Sequence, residues 1–149
     1  MNIIRTDQQT ALHDLLIAVE ESADHYQNAA EYVADHSGSV YFQQFAKQRL
    51  ILASRLQEAI RNEGELPPVP DPDKESGAML FQRLVASLSQ EETHTIIEQR
   101  LDKEQALNEL LQQAQELGVG DTYPELQQDL IENNRMITQT LQDLEQLDS

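Results

Sequence analysis

Four histidines and a wide scatter of carboxylates are the side chains of this sequence best able to hold a metal or move a proton. Glu91-Glu92-Thr93-His94 contains a Glu-x-x-His, a spacing that puts a carboxylate and an imidazole on one helix face, one turn apart. Carboxylate oxygens and imidazole together suit iron or manganese. His94 and Glu98 are also one turn apart, and His25 with Glu21 repeats that arrangement. The Glu-x-x-His is single, however, and falls in the first turns of an expected helix, where acidic residues are favoured by the helix dipole. An exposed histidine in an acidic first turn is the expectation. A metal site of unorthodox kind would have to gather His94, Glu98, Glu104 and Glu132, each within about 2.0–2.2 Å of the ion. His13 and His36 have no evident partner. The chain has no Cys, which excludes disulfides, thiolate nucleophiles and thiolate metal ligands. Neither a Gly-rich phosphate loop nor a Gly-x-Ser-x-Gly elbow is present.

The other candidate for chemistry is Arg49. Phe42, Phe45, Leu52, Leu56 and Ala59 recur at helical spacing, and Arg49 falls on the same stripe. Two arrangements fit it there. A guanidinium at the edge of the stripe would snorkel outward. One inside needs a carboxylate and further acceptors, because an unpaired buried charge is very costly. Ser22, Ala23, Arg49, Glu104 (or Arg100) and Asn133 all fall near the middles of their helices. The expected polar layer is therefore Arg49 paired with Glu104 or Glu98 and completed by Asn133, its use being register more than stability.

The elements that would position these residues are helices. Gln, Glu, Leu and Ala dominate, with only five Gly and 5% aromatic residues. Thr6 and Gln9 fit a capping box. Leu12, Leu16, Val19, Ala23, Tyr26, Ala30 and Val33 then follow at alternating spacings of four and three. Asp35-His36-Ser37-Gly38-Ser39 breaks the pattern, so a second, antiparallel helix starts near Ser39 and runs to about Asn62, with Gly64 as its stop. Residues 65–73 carry all the prolines but one, and this tract reads as extended. From Gly64 to Ser76 the chain can cover on the order of 40 Å, enough to return along a helix of roughly 36 Å and make the second and third long helices parallel.

A short helix is expected at Gly77 to Leu88. Ser89 and Glu92 then open the third long helix, whose seam is Ile97, Leu101, Glu104, Leu107 or Asn108, Leu111 and Ala114, ending at Gly118. Thr122 and Glu125 repeat the capping signature for a fourth helix carrying Leu126, Leu130, Asn133, Ile137, Leu141 and Leu144. The predicted architecture is all-α: one domain over residues 1–149, four long helices, a long crossover between the second and third, and one short extra helix.

The net charge of −17 argues against a general electrostatic surface for nucleic acid or anionic lipid. It suits a well-solvated surface, a basic partner or divalent cations. No run reaches the roughly 18–20 apolar residues of a membrane span, and Met1–Thr6 lacks a signal peptide's apolar core. A cytoplasmic protein is the expectation.

The wiring, with Ser22-Ala23-Asp24-His25-Tyr26-Gln27-Asn28-Ala29-Ala30-Glu31, Phe42-Gln43-Gln44-Phe45-Ala46-Lys47-Gln48-Arg49, Ile96-Ile97-Glu98 and Asp102-Lys103-Glu104, resembles the ferritin-like superfamily from about Thr6 to Leu147. More closely, it is similar to an uncharacterised bacterial domain-of-unknown-function family of ferritin-like four-helix bundles. The di-iron members of that superfamily use one Glu from each of two helices and a Glu-x-x-His from each of the other two. Carried onto this sequence, the first Glu-x-x-His falls on Arg49 and Leu52, and the second on Glu132 and Arg135. The first helix offers Val19 or Ser22 at its ligand position, and only Glu98 or Glu104 remains on the third. What the resemblance implies is a ferritin-like bundle without its di-iron ligands or any cofactor, non-catalytic, and acting through self-association or an unidentified protein partner.

Overall fold

The computed structural model describes residues 6–32, 38–68 and 92–147. Among them every regular element is a helix: α1 (Asp7–Tyr32), α2 (Gly38–Asn62), α3 (Glu92–Glu116), the single turn α4 (Val119–Thr122) and α5 (Pro124–Leu147). The class is all-α, as composition and periodicity predict. No described helix is long and apolar enough to cross a membrane. The expected short helix at 77–88 and the Ser89/Glu92 cap lie outside the described residues, as do Val33 and His36.

The ends of the helices follow from local chemistry. At the start of α1 the Thr6 amide donates to Gln9 Oε1 at 2.8 Å and the Gln9 amide donates to Thr6 Oγ1 at 3.1 Å, a reciprocal capping box. At the end of α2 Gly64 has φ +80°, its amide donates to the Arg61 carbonyl at 2.9 Å, and the Glu65 amide reaches back to Ile60 at 3.2 Å. That pair of bonds is a Schellman stop, and the left-handed position favours Gly. Ser39 does not cap α2. Its hydroxyl donates to the Ala30 carbonyl at 2.8 Å and ties the two helices of the first hairpin together.

The start of α5 corrects the expected Thr122/Glu125 box. Thr122 lies in α4 and donates to Gln8 Oε1 at 2.9 Å. Gly118 precedes α4 with φ +91°, a left-handed conformation that favours Gly; a Cβ there would meet only the movable end of the Gln8 side chain, 2.7 Å away. The α4 turn exists to bury Val119 under the end of the helices. A single turn leaves no periodicity in sequence by which it could be recognised.

Helix directions can be read from the two apolar clusters. One joins the start of α1 (Leu12, Leu15, Leu16) and of α5 (Leu126, Leu130) to the ends of α2 (Leu56, Ile60) and α3 (Leu111, Ala114). The other joins the end of α1 (Tyr26, Ala29, Ala30) and of α5 (Ile137, Leu141, Leu144) to the starts of α2 (Phe42, Phe45) and α3 (Ile96, Ile97). So α2 and α3 run the same way, and α1 and α5 run opposite to both. α1 packs against α2 and α3, and α5 packs against the same two helices, so neighbouring long helices are antiparallel. The end of α2 and the start of α3 therefore lie at opposite ends of the molecule.

Candidate functional site: a buried polar layer between two apolar cores

Between the two clusters lies a layer of polar side chains, one or two from each long helix. Arg49 is its centre, only 1% exposed and the largest of the fully buried side chains among the described residues. Its Nε donates to Asn133 Oδ1 at 2.7 Å, its Nη1 to Ser22 Oγ at 3.0 Å, and its Nη2 forms an ion pair with Glu104 Oε1. Glu104 is equally buried. Its Oε1 also accepts from Asn134 Nδ2 at 3.0 Å, and its Oε2 accepts from the Tyr26 hydroxyl at 2.9 Å. The Ser22 hydroxyl in turn donates to the Val19 carbonyl at 3.0 Å, while Asn133 Nδ2 donates to Gln48 Oε1 at 3.0 Å. Asn134 is fixed by a second bond to the Glu104 carbonyl at 3.0 Å. Each member of the layer is hydrogen-bonded, which is the condition for burying such a network. The one buried side-chain polar atom without a partner among the described residues, Gln127 Oε1, lies elsewhere.

Electrostatics keep the Tyr26 hydroxyl protonated. Burial, then the adjacent Glu104 charge, raises the Tyr26 pKa well above the ordinary phenol value, so Tyr26 remains a donor. Arg100 covers the Tyr26 ring with its guanidinium carbon 5.4 Å from the centroid. Burial lowers the pKa of Arg100, and Tyr26 and Glu104 oppose that shift.

The structure brings together Arg49, Glu104 and Asn133 from the expected layer and leaves Glu98 out. Glu98 lies six residues before Glu104, roughly 9 Å along the helix, and is exposed. It pairs with His94, Oε1 to Nε2, at 2.8 Å. The set His94, Glu98, Glu104 and Glu132 does not converge either. Glu104 is held in the core, and Glu132 is exposed and accepts from Gln128 at 2.9 Å. Instead Glu145 joins His94 and Glu98, with one ligand atom from each lying within 4.8 Å of the others at the surface.

Sequence reasoning passed over Asn134 and the Tyr26 hydroxyl. The spacing Leu130, Asn134, Ile137, Leu141 fits a helical seam as well as one through Asn133, and that signal was available. His13 also has a partner, Glu65 Oε2 at 2.7 Å, which pins the segment after α2 onto α1.

These residues do not fit a di-iron group. A carboxylate-and-imidazole cage would need oxygen and nitrogen lone pairs where Arg49 presents donors and Leu52 presents methyl groups, and Arg135 is exposed. The layer holds one carboxylate, and both its oxygens are engaged.

Beside the layer, burial and then the charges of Arg100 and Lys103 push the pKa of His25 down to about 4. The unfolded chain takes up a proton here as pH falls through about 6.5, whereas the folded chain does so only near 4. His25 thus lowers stability progressively across that window. Thermal unfolding of wild type and His25→Gln at pH 7 and pH 4.5 should show the larger acid loss in wild type. Carboxylates titrate in both proteins and cancel in the comparison, so parallel losses would refute the assignment.

Comparisons with protein-family models, curated proteins and solved structures give no match to this chain.

Proposed function

We propose that the protein is a ferritin-like four-helix bundle without metal chemistry that works by associating with a second copy of itself. The closed midplane carries the first half of this reading. Arg49 stands where a ligand would stand in the di-iron pattern, and the one carboxylate beside it is its counter-ion. The helix order, with α2 and α3 parallel and α1 and α5 antiparallel to both, supports the ferritin-like arrangement.

The outer face of α2 supports self-association. The exposed faces of α1, α3 and α5 carry carboxylates throughout, such as Asp14, Glu21 and Asp24 on α1 and Glu125, Asp129 and Glu132 on α5. Apposing such faces in a chain of charge −17 is repulsive. Helix α2 has Glu58 as its single acidic residue and exposes Val40 (58%), Leu50 (56%) and Ile51 (64%). Val40, Lys47 and Ile51 share one stripe at spacings of seven and four. Two copies can meet there across a two-fold axis without stacking carboxylates.

Sedimentation equilibrium tests the reading. Wild type is expected to dimerise, and Ile51→Glu to be monomeric with monomer stability changed by no more than about 0.5 kcal/mol. A wild-type protein that stays monomeric up to roughly 1 mM would overturn self-association.

A second reading, a metal-binding protein with an unorthodox carboxylate site, is favoured by one observation: the grouping of His94, Glu98 and Glu145. Stoichiometric manganese or zinc binding that is lost in His94→Ala would support it over the first.

A further inference from the structure

A pocket of about 180 Å³ opens between α1 and α3, against the outer side of the polar layer. Three of the ten basic residues of this strongly acidic chain line it: Arg49, Arg100 and Lys103. Arg49 is engaged in the layer. Arg100 is only 6% exposed, and among the described residues its guanidinium has neither a hydrogen-bond nor an ion-pair partner, only the face of Tyr26. Its nitrogens keep access to the pocket's solvent, and five donors in a planar fork are matched by a carboxylate.

Charge and shape narrow what would satisfy it. Against the three cations the lining places two carboxylates, Glu104 and Glu21, leaving one net positive charge. Glu104 is already committed to Arg49, Tyr26 and Asn134. Glu21 is exposed at the rim and acts on Arg100 only through space. One residual positive charge matches a monoanion better than a dianion. His25 also lines the pocket and is neutral near pH 7, so its ring offers a polar atom without adding charge. Apart from Ser22, whose hydroxyl is engaged with Val19 and Arg49, the remaining wall is apolar, formed by Ala18, Ala106, Leu107 and Leu110. At ~30 Å³ per water the volume holds about six waters, or an organic acid of about three to five carbons.

We propose that this pocket is a binding site for a small organic monocarboxylate, its carboxylate forked on Arg100 with Lys103 at the mouth, and its short apolar tail against Ala18 and Leu110. Bidentate pairing gives the guanidinium a partner that the described residues do not supply. The site is independent of metal binding and of self-association.

The test titrates butyrate, acetate and inorganic phosphate separately into the full chain at constant ionic strength. Amide shifts of His25, Arg100 and Lys103 and the thermal midpoint are followed. Butyrate should give saturable shifts at these residues and raise the midpoint, because a ligand of the native state stabilises it. Acetate should bind more weakly for lack of a tail. Phosphate should shift nothing beyond the chloride control. Arg100→Gln should weaken butyrate binding roughly 10- to 100-fold, the effect of losing a charged hydrogen-bond partner. Lys103→Gln, an exposed change that leaves the core intact, should weaken it a few-fold. Ala18→Phe, which fills the pocket, should abolish binding and decides the matter if Arg100→Gln fails to fold. Butyrate binding weaker than roughly 10 mM, phosphate binding as tight as butyrate, or Ala18→Phe binding like wild type would each overturn the proposal.

Discussion

Replacing Glu104 by Ala is expected to destabilise the protein by about 3–5 kcal/mol, the largest effect of any single change in the polar layer. The substitution strands Arg49 in a site that is 1% exposed. A guanidinium is too basic to escape by shedding its proton. It also removes the acceptor of the Tyr26 and Asn134 bonds. Against a total stability of about 5–15 kcal/mol, much of the folded population is at risk. Arg49→Leu should cost less, because the carboxylate left behind keeps those two donors. The double replacement Arg49→Leu/Glu104→Leu should recover most of the loss, as apolar residues of similar volume often match a buried ion pair. Urea unfolding of the three variants, compared at constant m, reads all of this. A Glu104→Ala cost within about 0.5 kcal/mol, the range of an ordinary surface change, would contradict the layer's role.

Phe42→Ala is the second large effect expected, about 3–5 kcal/mol from lost burial plus the cavity left behind. Phe42 is fully buried, with its ring centroid 6.0 Å from Tyr26 and 6.4 Å from Phe45. It fills the end of the molecule where α2 and α3 begin and α1 and α5 finish. Leu56 belongs to the other cluster, roughly 21 Å away along α2 and beyond the polar layer. Leu56→Ala should cost about 2–5 kcal/mol, and the pair should add to within about 0.5 kcal/mol. Strong coupling in the double mutant would mean that the two clusters behave as one core, and that the layer does not divide it. The experiment also bears on register. Two independent cores joined by a hydrogen-bonded layer can slide past each other only by breaking the Arg49–Glu104 pair.

Much of this arrangement was legible in the sequence because it is written locally. Thr6 with Gln9 and Gly64 after Asn62 mark helix ends through contacts within a turn. The stripe from Leu12 to Ala30 marks a buried face by spacing alone. Arg49 on an apolar stripe left two arrangements open, snorkelling outward or burial with partners, and the structure shows the second. Which group pairs with it was not local. Glu98 and Glu104 both lie on α3, and only the axial positions of α2 and α3 put Glu104 beside the guanidinium. Asn133 and Asn134 divided the work in a way that a single seam could not express. Tyr26 read as an apolar seam residue, since a pattern of spacings does not record where a hydroxyl points. His13 and Glu65 lie 52 positions apart, so no motif links them. Arg100 was read as an alternative to Glu104 in the layer, and packing instead sets it over the Tyr26 ring with no hydrogen bond among the described residues.

Metal content is the most direct test of the claim that an ion pair has taken the place of a metal centre. Protein purified without chelators, then incubated anaerobically with ferrous iron or with manganese and desalted, should retain well under one ion per chain. Glu104→Ala should retain no less than wild type, because Glu104 serves Arg49 rather than a metal. Iron or manganese held near two per chain and lost on replacing Glu104 would contradict the account.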